Sequence, residues 1–210
     1  MTPAMSLAMA LGLLVLSLAG CGSLEPKPDP SRFFTLSSLR QVEDAVVKQS
    51  GNPERILLGL GPIKFPGYLD RQEIVIRSGQ NRFDVSENDR WAEPLDENFT
   101  RVLAQNLSAL LGTARIVHFP WSSERKPKYQ LEVEVFRFEV NSARDAEFSA
   151  RWTVIDGSNK KPLNLKESRL TRAAKEKSTD ASVAALSEAL GDLSREIADT
   201  VSAIDGQGKP

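Results

Sequence analysis

Of 210 residues, 40% are hydrophobic and 26% charged, which is enough apolar material for a core and too much charge for disorder or a multispan membrane protein. The 27 Lys and Arg against 28 Asp and Glu leave a net charge of -1, so no basic surplus recommends nucleic acid as a partner. One His and one Cys exclude a Cys/His zinc cluster and an internal disulfide, and leave a Cys–His pair only if Cys21 and His118 form it.

No charged residue lies in 1–20, and Leu7 to Leu18 is an almost unbroken apolar run. As a helix its twelve residues reach about 18 Å, short of the roughly 30 Å hydrocarbon core, which reads as a cleaved signal peptide rather than a membrane span. Leu18-Ala19-Gly20-Cys21 follows, small residues before a cysteine, and it resembles the bacterial lipobox, at which Cys21 is lipidated and becomes the mature N-terminus. An incidental cysteine is the competing reading. Lipidation leaves no odd thiol in an oxidising compartment, and several acyl chains at about 0.8 kcal/mol per buried CH₂ make a lasting anchor. The departure is Met1 to Ser6, which carries no Lys or Arg. Gly22 lacks the Asp that, by resemblance to sorted lipoproteins, favours inner-membrane retention, so the outer membrane is the expected site. Pro26, Pro28 and Pro30 stiffen residues 21–31 into an extended tether of roughly 30 Å at about 3.1 Å per residue.

The globular part is expected over 32–205, with 206–210 a flexible tail because Gly206, Gly208 and Pro210 disfavour helix. Phe33-Phe34-Thr35-Leu36 reads as a first strand, and the continuous apolar character of Arg55 to Leu60 as a strand buried on both faces and central in a sheet. Between them lies a polar segment, Gln41 to Pro53. Glu73 to Arg77 and Arg82 to Ser86 make a hairpin across Ser78 to Asn81.

The spacing of Leu95, Phe99, Val102, Leu103, Asn106, Leu107, Leu110 and Leu111 predicts a helix over 94–112, with Pro94 in its first turn and Gly112 at its end. Glu93, Asp96 and Glu97 could serve acid–base work, yet they stand where the helix dipole favours negative charge. Ala114 to Phe119 is a short strand in which His118 has no Ser or Asp at a diagnostic spacing and belongs to no G-x-S-x-G or H-E-x-x-H motif.

Tyr129, Leu131, Val133 and Val135 alternate with polar residues, then Phe136, Phe138 and Val140 take the opposite phase, as a bulge or two buried faces would require. Ala146 to Val154 holds a period of two, and Asp156-Gly157 turns the chain toward Leu163 and Leu165 to complete an antiparallel meander. A last helix from about Thr179 to Ile204 sets Val183, Leu186, Leu190, Leu193, Ile197, Val201 and Ile204 on one stripe, for the domain's own sheet or for a coiled-coil partner.

Two blocks exceed what generic folding demands: Pro66-Gly67-Tyr68-Leu69-Asp70-Arg71 with Ile74 to Arg77, and Asp89-Arg90-Trp91-Ala92-Glu93-Pro94-Leu95. With the lipobox and Phe33 to Leu36, they make the chain similar to the PqiC-like family of ABC-type transport auxiliary lipoproteins over essentially its whole mature length. The resemblance implies a non-enzymatic outer-membrane lipoprotein in the periplasm, beside an MCE-domain protein and its inner-membrane transporter, serving lipid movement and envelope integrity. It implies a single α/β domain, with a mixed sheet and two main packed helices, of the TolB N-terminal kind and α/β/α layering. No cofactor is expected beyond the lipid on Cys21, and a homo-oligomer is compatible.

The blocks have a physical reading too. Pro66-Gly67 suits a tight turn using a positive glycine φ, presenting Tyr68 at a strand edge. Trp91 either staples the start of the helix or faces a partner, and Arg71 and Arg90 have Asp70, Asp89 and Glu93 within reach. Tyr68, Leu69, Asp70, Arg71, Arg90 and Trp91 are therefore candidates both for holding the fold and for a partner surface. Two other classes stand beside the adaptor: a lipid carrier holding acyl chains in a pocket, and an envelope hydrolase using a pair such as Asp84 and Glu87, for which no spacing speaks.

Overall fold

The computed structural model describes residues 28–39, 56–113, 115–122 and 124–207. The chain divides into two units, 1–30 and 31–210; of the first, residues 28–30 are exposed coil. The signal peptide, Cys21, most of the tether and the segment 41–53 lie outside the described residues.

Eight strands form one mixed sheet: β1 (Arg32–Phe34), β2 (Leu58–Lys64), β3 (Glu73–Gly79), β4 (Arg82–Trp91), β5 (Ile116–His118), β6 (Tyr129–Asn141), β7 (Ala146–Asp156) and β8 (Lys166–Arg172). Two helices accompany it, α1 (Leu95–Leu111) and α2 (Thr179–Gln207). The long strand β6 organises the rest. Antiparallel β7 takes one edge along its whole length, while the other edge is shared by β2 beside Tyr129–Glu134 and β3 beside Val140–Asn141, both parallel. Beyond β3 come β4 and then β1; beyond β7 comes β8; beyond β2 comes β5.

The phase change read in β6 is a bulge. Its register against β7 shifts between Val135 and Arg137, so Leu131, Val133 and Val135 before the bulge and Phe138 and Val140 after it all face the core, while Phe136 in the bulge is half-buried under the Arg151 guanidinium. Strand β7 alternates as expected: Ala146, Phe148, Ala150, Trp152 and Val154 are buried and the residues between them are not. One sheet face is thus covered, and both helices are on it, touching each other through a hydrogen bond from Asn106 Nδ2 to Ser194 Oγ. The expected single α/β domain with meander and two packed helices is present, but in two layers and not as α/β/α. The opposite face carries charge, including the Arg137–Glu147 and Arg151–Glu134 pairs.

Phe99 of α1 fills the centre, meeting Phe65, Phe138 and Phe148 edge-on at 5.1, 5.3 and 5.7 Å between ring centroids. Such pairs add about 0.5–1.5 kcal/mol each beyond the area they bury. Helix α1 follows Pro94, carries Asp96 and Glu97 in its first turn, and ends at Gly112 in a left-handed conformation, φ 60°. Asn98 and Asn106 stand in its buried stripe, accepting the Leu36 and Leu39 amides at 2.9 and 2.7 Å and so pinning the chain after β1 to the helix.

Several boundaries depart from expectation. Strand β2 begins three residues after Arg55 and lies between β6 and the edge strand β5. The meander's third strand is Lys166–Arg172, an edge strand with Ser168 and Leu170 turned inward, whereas Leu163 and Leu165 are 37% and 70% exposed in the connection before it. Leu110, placed in the apolar stripe, is 41% exposed, whereas Leu107 and Leu111 on either side of it pack on the core. Helix α2 runs through Gly206 to Gln207, past the helix end expected at Ile204 and into the segment expected as a flexible tail from 206.

Candidate functional site

The two sequence blocks, about twenty residues apart, converge in the fold. A groove of about 460 Å³ lies between Ile63–Gln72 on one wall and Ala92–Asp96 on the other. Its floor is apolar, from Ile63, Phe65, Leu69 and Leu95, and its rim carries Asp70, Arg71, Glu93 and Asp96. The walls are joined by a hydrogen bond from the Trp91 amide to the Gln72 carbonyl, 2.7 Å.

The first wall is a one-turn 3₁₀ helix, Gly67–Leu69, after extended Pro66. Gly67 does not use a positive φ, contrary to the turn expected from Pro-Gly. What sets this wall is Tyr68. Its ring stacks on Phe83 at 4.5 Å, with the Arg77 guanidinium over the other ring at 4.2 Å from the Phe83 centroid. The Tyr68 hydroxyl donates to Glu139, which also accepts from Arg77 Nε at 2.6 Å and from the Phe138 amide at 3.2 Å. Glu139 is 1% exposed, a buried carboxylate surrounded by donors. Burial and the Glu139 charge push the Tyr68 hydroxyl's pKa far up, so it stays a proton donor. Burial works against the charged Arg77, but Glu139 outweighs it and raises that guanidinium further.

The second wall is fixed by Glu93, which accepts from Asn98 and pairs with Arg101. The Arg101 hydrogen bond, then that from Asn98, holds its carboxyl below the usual range. Behind it, Asp89 joins three elements. It accepts from Arg32 of β1 at 2.7 Å and from Thr179 at the start of α2. Burial alone would raise the Asp89 pKa, but these hydrogen bonds more than offset that and lower it.

Of the candidate partner residues, Asp70 and Arg71 are exposed on the rim and Tyr68 is half-buried. Leu69 and Trp91 are 4% and 5% exposed and belong to the core; Trp91 ends β4 four residues before α1 starts. The expected pairings of the arginines do not form. Neither Arg71 nor Arg90 makes an ion pair among the described residues, and the Nε of Arg90 is buried without a partner. Asp89 is taken instead by Arg32, across the β1–β4 pairing, and Glu93 by Arg101, one helical stretch away.

The hydrolase pair does not assemble into a buried site: Asp84 and Glu87 are both exposed on β4 and Asp84 lies 3.6 Å from Arg82. His118 is exposed at the end of β5. Among the described residues no three metal-binding side chains cluster, and no helix is long and apolar enough to cross a membrane. Glu139 was missed from the sequence, where it is one of three glutamates of β6 with Glu132 and Glu134, each between apolar residues, so its place between Phe138 and Val140 did not set it apart.

Against known proteins, the family model described as the ABC-type transport auxiliary lipoprotein component matches residues 34–198. No curated protein matches the chain. Among solved structures, an uncharacterised protein shares 20% identity over 81% of this chain and 98% of its own, with a TM-score of 0.65. A DUF330 protein from Xanthomonas campestris shares 16% identity over 84% of this chain and 97% of its own, with a TM-score of 0.67. At such identities these two bear on the fold alone, and both agree with the sheet and helices described above.

Proposed function

The chain belongs to the ABC-type transport auxiliary lipoprotein component family, and from that premise we propose that it is a non-enzymatic adaptor, anchored by lipid at Cys21, that docks a transport assembly to the outer membrane. Its domain faces the periplasm, its partner is an MCE-domain protein of the system, and the assembly moves lipid between the membranes and supports envelope integrity. The supporting observation is the groove. The two blocks most specific to the family resemblance become its opposing walls, and its size lies in the range of pockets that accept a few side chains of a partner. An acyl chain held in the same groove is the alternative reading, favoured by the apolar floor, but a lipid phosphate would meet the carboxylates of Asp70, Asp96 and nearby Glu97.

The test is copurification from detergent-solubilised membranes, with the wild-type chain, Cys21→Ala and Asp70→Arg. The adaptor reading expects an MCE-type component with the wild type, its loss or reduction with Asp70→Arg, and release of Cys21→Ala to the soluble fraction. Failure of both the wild type and Cys21→Ala to bring down any such component, while other envelope complexes survive, overturns it. Native mass spectrometry showing stoichiometric phospholipid would favour the carrier reading instead.

A further inference from the structure

The groove is short of positive charge. Glu93 is neutralised by Arg101, which leaves Asp70 and Asp96, with Glu97 on the adjoining flank of α1, against Arg71 alone. None of these four makes an ion pair among the described residues. An occupant of complementary chemistry therefore carries bulky apolar side chains flanked by lysine or arginine.

The same chain displays such a segment elsewhere. Lys160-Lys161-Pro162-Leu163-Asn164-Leu165 connects β7 to β8, with Leu165 70% and Leu163 37% exposed. Lys160 and Lys161 are exposed and make no ion pair among the described residues, although Lys160 Nζ does reach Gln130 Oε1 at 3.1 Å. The segment is held extended rather than loose: the Leu163 amide donates to the Val154 carbonyl at 2.8 Å, and Asn164 Oδ1 accepts the Val154 amide at 2.6 Å. Exposed leucines on a fixed strand-like support lose little entropy on docking. Strands β6 and β7 stand between this segment and the groove, so one copy cannot fill its own groove.

On the reading that the groove takes a protein segment, we infer that its occupant is the Lys160–Leu165 segment of a second copy, with Leu165 seated on the Phe65–Leu69–Leu95 floor and Lys160 and Lys161 against Asp70 and Asp96. Groove and segment are different surfaces, so the contact is heterologous: each copy offers one of each, and repetition builds a ring if it closes.

Sedimentation velocity on the full chain in detergent tests this. The wild type is expected above monomer mass. Leu165→Asp and Asp96→Lys, both at exposed positions, should each weaken association by about 30-fold or more, as loss of a central anchor or its charge partner does, with unchanged far-UV circular dichroism. Mixing the two variants should yield one-to-one dimers and nothing larger, because only one intact pairing survives. A photo-crosslinker at position 165 should capture peptides from 63–72 or 92–96 of the neighbour. A monomeric wild type, an oligomer indifferent to Leu165→Asp, or crosslinks confined to other surfaces would overturn the inference. A monomer that still copurifies its transport component leaves the adaptor reading intact, whereas an oligomer that copurifies nothing leaves only the self-association.

Discussion

Glu139→Gln removes the charge at the centre of the cluster that sets the groove's first wall. The carboxylate side chain is 0% exposed and the Arg77 side chain 18%, so the guanidinium would be left largely desolvated without its counter-charge. The glutamine NH₂ would also confront a site built from the Tyr68 hydroxyl, Arg77 Nε and the Phe138 amide, all donors. Breaking a buried pair on one side costs about 3–5 kcal/mol. For a domain of this size that corresponds to a fall in Tm of about 6–20 °C. Urea unfolding should show a lower midpoint at unchanged slope. Replacing both partners, as in Arg77→Met/Glu139→Leu, removes the stranded charge and should recover at least half of the loss. A single variant within about 0.5 kcal/mol of wild type, or a double variant whose loss is the sum of the singles, would refute the claim that this pair is coupled and buried.

Asp89 links acid stability to the fold's first strand and last helix. Its carboxyl is lowered in the folded chain, so its contribution is fully present above the unfolded carboxylate value of about 3.9 and is lost as the pH falls through the lower folded value. Asp89→Asn should therefore flatten the acid limb of a stability-versus-pH curve and change little in its slope at neutral pH; an unchanged acid limb would contradict this. The glycines at 157 and 67 should respond oppositely to alanine. A Cβ at Gly157 would sit 1.8 Å from the Pro127 carbonyl oxygen, demanding backbone movement and about 3 kcal/mol or more. At Gly67 nothing lies within 4 Å and φ is not positive, so Gly67→Ala should be neutral or stabilising by about 0.4–1 kcal/mol in the same melts.

Much of the architecture was legible residue by residue. The stripe of α2 from Val183 to Val201 and the alternation of β7 each required only a repeat and a covered face, and both are present. Strand β8 escaped notice because Lys166–Arg172 holds one large apolar residue, Leu170, as an edge strand at the margin of a core needs no more. Leu163 and Leu165 attracted the assignment instead and turned out exposed. In the site, both walls were legible as unusual blocks, while the roles within them were not: Trp91 and Leu69 went to the core, and Asp89 and Glu93 found cations other than Arg90 and Arg71.

The amino-acid order alone determined both helices and most of the strands, which face of each is apolar, that the apolar phase of β6 changes near Val135, and the lipobox resemblance at Cys21, because each is written in spacing among neighbours. Only the tertiary structure decided that both helices share one sheet face, that residues 63–72 and 92–96 enclose a groove, and that Glu139 answers to Tyr68 and Arg77. Those pairings join residues some sixty to seventy positions apart. Local periodicity says that a side chain must be buried or satisfied. Its partner is set by which strands lie side by side and in what register, and that follows from the whole sheet closing over one core.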